Sequence, residues 1–273
     1  MKKFFAIIGK PVSHSLSPIL HNYWFKKYNI DAEYSLIDIE ETGLTRIAEE
    51  IRNKKLSGVN VTLPYKQKII PLLDRLINDA KSTHSVNTVF LDETNTLIGD
   101  NTDVYGLQAG YLKGLVNAEK KNVLIIGAGG VAPSVIFSLQ KSKIKKISII
   151  NRTHEKSIFL KKNFSFLNIL EWKSLESEVK NFDIIINATS LGLKGAKEFE
   201  IDFKNVKSNL TYIDTIYNPF ETKTLKSLKD RGIKTFNGLD MFIYQGQKSF
   251  YLWNKINPEI DDQLYELLQL KLK

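Results

Sequence analysis

The sequence predicts an α/β protein of two domains, the second of them a doubly wound domain built on a parallel sheet. Segments with strand character and segments with helix character alternate through the first hundred residues and again from Asn122 onward. The segment 123–126 is apolar throughout, as in strands that are buried on both faces of a parallel sheet. With 273 residues, 42% of them hydrophobic and 25% charged, the chain has the length for two domains and the composition of a folded protein.

The first domain is predicted over residues 1–103, and the elements of its first part alternate as β-α-β-α-β-α. Alternating apolar positions indicate the strands, and apolar positions three or four residues apart indicate the helices. The predicted elements are, in order, strand 4–8, helix 18–28, strand 32–39, helix 42–53, strand 58–63, helix 66–73, a hairpin of strands 86–91 and 96–98, and helix 103–115, which leads into the second domain.

The second domain is predicted over residues 104–238. Its core is another alternating series, and the helical residues 239–273 are expected to pack back on the first domain. The predicted elements are strand 123–126, helix 131–140, strands 146–150, 184–186 and 211–213, and a mostly helical segment 241–273.

The charged residues and the lack of cysteine exclude several classes of protein. The net charge is +9, but 34 of the 39 basic residues are lysines scattered along the chain, whereas proteins that bind nucleic acid use clustered basic residues with arginine prominent. No run of about 18 apolar residues is present, so no membrane span is predicted. Without cysteine there is no disulfide, thiolate metal site or cysteine nucleophile, and the cytoplasm is the expected compartment.

A glycine-rich motif follows the first strand of the second domain. Gly127-x-Gly129-x-x-Ala132 lies between a predicted strand and a predicted helix, which is the setting of a dinucleotide-binding turn of the Rossmann type. Gly127 permits the tight turn, Gly129 lets a pyrophosphate approach the backbone, and Ala132 is small enough for close helix packing. The free N–H groups and positive dipole of the helix N-terminus favour phosphate binding.

The end of the next strand indicates which dinucleotide is bound. NAD-binding units carry an Asp or Glu at this position, where it accepts a hydrogen bond from the ribose 2′-OH. Here the strand ends in Asn151-Arg152-Thr153. A carboxylate would repel a 2′-phosphate, whereas Arg152 can hold one through charge and paired hydrogen bonds. The sequence therefore predicts NADP as the cofactor, with Lys156 as a second positive group one helical turn further on.

Polar residues occur in the first domain where elements begin and end. Ser17 is predicted to cap a helix with Pro18 in its first turn, or to bind a small carboxylate at the helix N-terminus. Thr62 and Lys66 follow a strand at the edge where open α/β sheets bind ligands. Lys66 would start a helix against an unfavourable dipole, which hints at a functional role. Asp103 precedes a helix and can cap it.

Nine short motifs, in one order along the chain, carry a resemblance to a known family. They are Ser15-Leu16-Ser17-Pro18 with His21-Asn22, Asn60-Val61-Thr62-Leu63-Pro64-Tyr65-Lys66, Val86-Asn87-Thr88, Gly99-Asp100-Asn101-Thr102-Asp103, Gly127-Ala128-Gly129-Gly130, Asn151-Arg152-Thr153, Asn187-Ala188-Thr189-Ser190, Tyr217-Asn218-Pro219, and Asn237-Gly238 with Gln245. With these motifs the sequence closely resembles the shikimate dehydrogenase family over nearly its whole length.

The resemblance implies roles for particular residues of this chain. It makes Lys66 and Asp103 the catalytic pair. The substrate-binding residues that it implies are Ser15, Ser17, Thr62, Lys66, Asn87, Asp103, Tyr217 and Gln245, the two serines and Tyr217 lying near the substrate carboxylate. The cofactor-binding residues that it implies are Gly127, Ala128, Gly129, Gly130, Val131, Asn151, Arg152, Thr153, Lys156, Thr215 and Gly238. The chain departs from the family pattern at Val104, Phe242 and Gly246, which affects pocket detail.

The resemblance also implies a reaction, the NADPH-dependent reduction of 3-dehydroshikimate to shikimate. Reduction of a ketone needs a hydride on carbon and a proton on oxygen, and Lys66 can supply the proton. No metal is expected, because the four histidines show no metal-binding spacing. The expected partners are small molecules, with no nucleic acid or membrane, and the chain is expected to be a monomer or homodimer. Two alternatives stay open: a quinate/shikimate dehydrogenase that uses NAD, and a nucleotide-sensing protein without catalysis.

Overall fold

A computed structural model describes residues 2–115, 117–199 and 201–272, and within them the chain forms twelve strands and ten α-helices. The strands are β1 (Lys3–Gly9), β2 (Ala32–Asp38), β3 (Gly58–Val61), β4 (Arg75–Leu76), β5 (Thr88–Leu91), β6 (Leu97–Asp100), β7 (Asn122–Ile126), β8 (Lys146–Ile150), β9 (Asn168–Leu170), β10 (Ile184–Asn187), β11 (Thr211–Asp214) and β12 (Lys234–Phe236). The helices are α1 (Ser17–Lys27), α2 (Leu44–Arg52), α3 (Asn78–Thr83), α4 (Asp103–Leu107), α5 (Ala132–Lys141), α6 (His154–Asn163), α7 (Leu175–Glu178), α8 (Lys223–Asp230), α9 (Leu239–Asn254) and α10 (Asp262–Leu272).

The chain divides into two compact units. The first contains the described residues up to Gly106 together with Ile243–Lys271, and the second contains Leu107–Phe242 together with Leu272. One division therefore falls before the last residue of α4, and the other falls within α9. The sequence places these divisions at 103/104 and 238/239, three and four residues earlier.

The first unit is built on a six-stranded mixed sheet with the strand order β2-β1-β3-β5-β6-β4. Strands β2, β1 and β3 run parallel, whereas β5 is antiparallel to both β3 and β6. Successive side chains of a strand point to opposite faces. Ala6 and Ile8 of β1 accordingly join Ile47 of α2 in one core cluster. Phe5 stacks instead on Phe25 of α1 and Trp253 of α9, so both faces are covered by helices.

The second unit is built on a six-stranded parallel sheet with the order β12-β11-β10-β7-β8-β9. This is the strand order of doubly wound dinucleotide-binding folds, with the topological switch point between β7 and β10. Val123 and Ile125 face a cluster that includes Leu139 of α5, whereas Leu124 and Ile126 face the opposite cluster. The apolar run 123–126 is thus buried on both faces, and the predicted fold class is confirmed.

The predicted helix 66–73 is wrong. Residues 66–69 form turns, and a single 3₁₀ turn follows at Ile70–Leu72. Pro71 explains the difference, because a proline lacks the N–H that an α-helix interior requires and its ring clashes with the preceding turn. The chain instead continues into β4 and α3, neither of which the sequence analysis identified.

Smaller corrections concern the ends of elements. The α-helical part of predicted helix 103–115 ends at Leu107, and a π-helical turn follows over Gln108–Leu112. The second strand of the hairpin begins at Leu97 and extends to Asp100, beyond the predicted 96–98. Ser17 is the first residue of α1, and its side chain makes no capping hydrogen bond, so the predicted cap is wrong.

The helical segment predicted at the end of the chain is confirmed as α9 and α10, with a break that contains Pro258. Lys273, the last residue of that prediction, lies outside the described residues. Within the described ranges, the chain contains no helix with both the length and the apolar character needed to cross a membrane.

Candidate active site

Lys66 and Asp103 form an ion pair at one edge of the first sheet. Lys66 Nζ lies 2.5 Å from Asp103 Oδ2, and the two side chains are only 12% and 6% exposed. Lys66 belongs to the turn that follows β3, and Asp103 is the first residue of α4, three residues after the end of β6. Pairs of this kind are stronger when water is largely excluded, because the local dielectric constant is lower than in bulk water.

The Asn87 amide holds the other oxygen of the Asp103 carboxylate. Its Nδ2 atom donates a hydrogen bond to Asp103 Oδ1 over 2.8 Å. Its Oδ1 atom accepts from the backbone N–H of Thr102 over 2.8 Å. A backbone N–H can only donate, so this contact fixes which end of the amide faces Asp103. Nδ2 also approaches Gln245 Oε1 at 3.4 Å, which links the group to α9.

Ser15 and Thr62 lie on loops that leave neighbouring parallel strands, and Ser17 begins the helix after the first of these loops. The Ser15 hydroxyl donates to Ser17 Oγ over 3.1 Å, in the loop after β1. Thr62 directly follows β3, and the Lys10 N–H donates to the Leu63 carbonyl, which joins the two loops. Because the carboxyl ends of parallel strands meet at one edge of a sheet, these residues share an edge with Lys66. Their binding of substrate stays a prediction.

Tyr217 is the one predicted substrate residue that belongs to the second unit. It lies in the loop after β11, and its ring packs 4.5 Å from the ring of Phe242. The remaining predicted substrate residues, including Gln245 on α9, belong to the first unit.

The glycine-rich turn after β7 has the backbone conformation that glycine allows. Gly127 has a φ of 109°, and a side chain there would meet Ala188 and Thr189 of the loop after β10. The Ala128 N–H donates to Asn151 Oδ1 over 3.0 Å, so Asn151 ties the turn to the end of β8. Around Gly129 the space is open, since a Cβ there would have Ala188 O as its nearest neighbour at 3.9 Å.

The segment from the end of β8 to the first turn of α6 carries three of the predicted cofactor residues. Arg152 and Thr153 precede α6, and Lys156 lies in its first turn. All three are exposed, and no ion pair of Arg152 or Lys156 is formed within the part of the chain that the structure describes. Arg152 therefore keeps its five N–H donors available for an anionic ligand, as a site for a 2′-phosphate requires.

Thr215 and Gly238 lie side by side at the same edge of the second sheet. The Gly238 N–H donates to the Ile216 carbonyl over 2.7 Å, and a Cβ at Gly238 would come within 2.3 Å of the Thr215 carbonyl oxygen. The Thr215 hydroxyl donates to the Asn187 carbonyl over 2.9 Å, which connects the loops after β11 and β10. The predicted cofactor residues thus follow β7, β8, β11 and β12 along one edge.

The buried side chain of Asp214 holds together the loops at this edge of the second sheet. The sequence analysis did not identify it as a functional candidate. Its carboxylate accepts hydrogen bonds from the Asn187 amide, the Ile216 N–H and the Thr222 hydroxyl. Burial raises the pKa of Asp214 to about 6, against the opposing effect of these three donors. Its position at the end of the apolar strand predicted over 211–213, next to the predicted cofactor residue Thr215, is the signal that could have found it.

Four polar residues behind the Lys66–Asp103 pair were also missed as functional candidates. They are Asn60, Thr88, Thr102 and Ser249, all of them buried. The first three stand within motifs of the family resemblance, which could have indicated them. Ser249 lies in an apolar stretch of α9 and carries no local signal. No group of three or more His, Asp or Glu side chains within residues 2–115, 117–199 and 201–272 is arranged to hold a metal ion.

Comparison with known families gives two matches. Residues 7–89 match the shikimate dehydrogenase substrate binding domain, and residues 112–218 match the shikimate/quinate 5-dehydrogenase family. The first match covers Ser15, Lys66 and Asn87, and the second covers the glycine-rich turn and Tyr217. The matches thus fall on the two units separately.

Individual proteins resemble the chain over nearly its full length. A protein of Pelagibacter ubique named shikimate dehydrogenase (NADP(+)) is 45% identical over 270 residues, which are 99% of this chain and 100% of the relative. The structure of shikimate 5-dehydrogenase from Thermus thermophilus in complex with NADP(H) and shikimate has a TM-score of 0.88 at 28% identity and covers 99% of this chain and 100% of its own. Quinate dehydrogenase from Corynebacterium glutamicum in complex with NAD has the same TM-score at 26% identity, with 98% of each chain covered.

Proposed function

This chain belongs to the shikimate/quinate dehydrogenase family, and from that membership we propose that it catalyses the reversible NADP-dependent reduction of 3-dehydroshikimate to shikimate. The observation that carries the proposal is the shielded Lys66–Asp103 pair, with both carboxylate oxygens occupied by fixed donors. A proton-transferring amine next to a carboxylate is what the reduction of a ketone to an alcohol requires of a protein.

Lys66 is the group that moves the proton. In the direction of reduction its ammonium donates a proton to the oxygen of the developing alkoxide, and in the direction of oxidation the neutral amine accepts it. Asp103 holds Lys66 in place and is available to accept a hydrogen bond from a neighbouring substrate hydroxyl. NADPH, when bound, supplies the hydride that this chemistry needs.

The substrate carboxylate is bound by the hydroxyl groups of Ser15 and Ser17, and Tyr217 remains a further substrate residue that the family resemblance implies. Ser17 lies at the N-terminus of α1, where N–H groups and the helix dipole favour an anion. Thr62, Asn87 and Gln245 bind the ring hydroxyls. Asn87 and Gln245 already lie within 3.4 Å of one another, which makes them a joint surface for a polar ligand.

The edge of the second sheet that carries the predicted cofactor residues fits NADP in three respects. The open space at Gly129 admits a pyrophosphate, and α5 starts directly behind it with Ala132. Gly238 and Thr215 form a close backbone contact with no side chain projecting between them. Arg152 and Lys156 supply the positive charge for a 2′-phosphate, and Asn151 stands where NAD-binding units carry a carboxylate.

Steady-state assays with two substrates and two cofactors test the proposal. Shikimate or quinate is oxidised with NADP⁺ or NAD⁺, and the four values of kcat/KM are compared. We expect the shikimate and NADP⁺ combination to be the highest. A preference for quinate with NAD⁺ would identify a quinate dehydrogenase, and binding of the dinucleotide without turnover in any combination would indicate a sensor protein.

We further propose that the enzyme acts in the cytoplasm on small molecules, as a monomer or homodimer. A cysteine-free chain is suited to a reducing compartment. Light scattering on the purified protein measures its mass against the 31.2 kDa of one chain, and a mass of three or more chains would contradict this proposal.

A further inference from the structure

Behind the Lys66–Asp103 pair, the Asn87 amide is held by more than the backbone of Thr102. Its Oδ1 atom also accepts a hydrogen bond from the Thr88 hydroxyl over 2.9 Å, and its Nδ2 atom donates to the Thr102 hydroxyl oxygen over 2.9 Å. The orientation of this amide decides whether a donor or an acceptor faces Asp103. Any group that holds the Thr88 and Thr102 hydroxyls therefore also holds Asp103.

Ser249 on α9 is that group. Its Oγ atom lies 2.8 Å from Thr88 Oγ1 and 3.1 Å from Thr102 Oγ1, and it accepts a hydrogen bond from Asn60 Nδ2 over 3.1 Å. Its one proton is directed to Thr88 Oγ1, and the backbone carbonyl oxygen of Gln245, one helical turn earlier, lies 3.1 Å from Oγ as a second acceptor; Thr102 Oγ1 donates to Ser249 Oγ. One fully buried hydroxyl thus connects α9 to β3, to β5 and to the loop before α4.

The hydroxyl of Ser249 is not explained by the helix in which it lies. Alanine is the better residue for a helix interior, and a serine that bonds back to the carbonyl four residues earlier slightly destabilises a helix. Its neighbour Phe250 is part of the aromatic core, where a polar group is costly unless it is hydrogen-bonded. The hydrogen bonds of Ser249 with Thr88, Thr102 and Asn60 satisfy that condition, and the first two lead to Asn87.

We propose that Ser249 is a positioning residue for the reaction: its hydroxyl holds Thr88 and Thr102, which fix the Asn87 amide so that it orients the Asp103 carboxylate toward Lys66. The inference rests on the proposed function for its kinetic consequences, but the geometry of the Lys66–Asp103 pair that it predicts does not depend on the identity of the substrate.

Ser249→Ala and a matched control variant test the proposal kinetically. We expect Ser249→Ala to lower kcat for shikimate oxidation about fivefold to twentyfold, a part of the usual contribution of a positioned acid/base group, while KM for shikimate and NADP⁺ stays within twofold. The pH profile of kcat should shift, because the carboxylate beside Lys66 is held less firmly. The control is Ser138→Ala, which removes another fully buried helical hydroxyl that also bonds back to a carbonyl four residues earlier. Its kcat and pH profile should stay those of the wild type.

A double variant separates positioning from a general loss of stability. The route from Ser249 to Asp103 passes through Asn87, so Ser249→Ala should add less than twofold to the kcat loss of Asn87→Ala. Thr102→Val, which removes a second hydroxyl on the same route, should give the same kinetic signature as Ser249→Ala. Independent multiplication of the Ser249 and Asn87 effects, or an unchanged pH profile in Ser249→Ala, would overturn the proposal.

The reactivity of the Lys66 amine gives a readout that needs no substrate. In wild type, Ser249→Ala and Ser138→Ala, acetylation of Lys66 by acetic anhydride is followed by mass spectrometry against exposed lysines of the same chain. We expect Lys66 to react severalfold faster in Ser249→Ala alone. If the wild type is inactive on shikimate but Lys66 reacts faster in Ser249→Ala, the proposed function is refuted and the positioning role is not. If the wild type is active and the reactivity of Lys66 is the same in Ser249→Ala, the positioning role alone is refuted.

Discussion

Each sheet has one edge that carries the predicted ligand-binding residues: the first edge belongs to the sheet of the first unit, and the second edge to the sheet of the second unit. The two edges are built in different ways. In the first unit, the edge consists of side chains bonded to one another, with Lys66, Asp103 and Asn87 joined through contacts of 2.5 to 2.8 Å. In the second unit, it consists mainly of backbone: Gly127 and Gly238 allow close backbone contacts, Gly129 leaves open space, and exposed cations lie beside them. The first edge fixes the orientation of chemical groups, whereas the second offers room, N–H donors and positive charge.

The difference matches the two tasks in the proposed reaction. Proton transfer depends on the position of one amine relative to one oxygen, so an orientation error of about 1 Å can cost on the order of a hundredfold in rate. Binding of a dinucleotide depends on many contacts to phosphates and can use exposed side chains such as that of Arg152. Substitutions at the first edge should therefore change kcat, and substitutions at the second should change KM and cofactor preference.

The largest effect is expected from Lys66→Ala. Loss of a positioned acid/base group should lower kcat by roughly 10² to 10⁴, and KM for NADP⁺ should stay within a few-fold because Lys66 belongs to the substrate-binding unit. Steady-state kinetics measure both values. The control is Lys68→Ala. Lys68 lies two residues after Lys66, is exposed, and forms an ion pair with Glu41.

The pairing of Lys66 with Asp103 makes a second prediction at the same edge. Asp103→Asn should also slow turnover, and the variant with both substitutions should be little worse than Lys66→Ala alone, because residues that act as one unit are strongly non-additive. A Lys66→Ala enzyme with near-normal kcat and only a raised KM would contradict the acid/base role and leave Lys66 as a binding residue.

The buried carboxyl group of Asp214, at the second edge, should make the free energy of unfolding depend on pH. Burial raises the pKa of Asp214 to about 6, so the folded state binds its proton more tightly than the unfolded state does. The resulting stabilisation is complete below the unfolded pKa of 3.8 and is lost as the pH rises through 6. Asp214→Asn removes this dependence.

Chemical unfolding of the wild type and of Asp214→Asn between pH 4 and pH 7 measures the effect. The free energy of unfolding of the variant, relative to the wild type, should increase by about 2 to 3 kcal/mol across this range. Asp230→Asn, at the exposed end of α8, is the control and should follow the wild type. Parallel curves for wild type and Asp214→Asn would show that Asp214 does not titrate in this range.

The glycines of the second edge should differ in their tolerance of a side chain. Gly238→Ala would place a methyl group 2.3 Å from the backbone oxygen of Thr215, so we expect a loss of about 1 to 3 kcal/mol in the free energy of unfolding. Gly129→Ala has open space and should stay within about 1 kcal/mol of the wild type while it raises KM for NADP⁺. Equal stability of the two variants would contradict this distinction.

The same contrast explains what the sequence could predict. The residues that define the second edge are close together in the sequence. Within thirty residues the chain contains the strand 123–126, the turn Gly127-x-Gly129 and Arg152, so one motif predicts both the fold and the cofactor. At the first edge, Lys66 and Asp103 are separated by 37 residues and were paired from the family resemblance, not from spacing.

The features that the sequence did not predict depend on contacts distant in the chain or on single residues that break a pattern. Ser249 meets Thr88 across 161 residues, and its own helix shows only a small polar residue among apolar ones. The turn after Lys66 has enough apolar residues for a helix, yet Pro71 prevents one. Ser17 has the residue type and neighbour of an N-cap, but its hydroxyl accepts a hydrogen bond from Ser15 instead.

An effect on cofactor preference alone is expected at Arg152, where the second edge uses an exposed side chain. The charge-assisted pair with a 2′-phosphate is worth about 1.5 to 3 kcal/mol, so Arg152→Ala should reduce the ratio of kcat/KM for NADPH over NADH at least tenfold. The activity with NADH should change little, because NADH has no 2′-phosphate to lose. Lys161→Ala, in the last turn of α6, is the control for a general loss of positive charge and should leave the ratio unchanged. An Arg152→Ala enzyme with the wild-type ratio would mean that the 2′-phosphate is held by other groups, of which Lys156 is the first to replace.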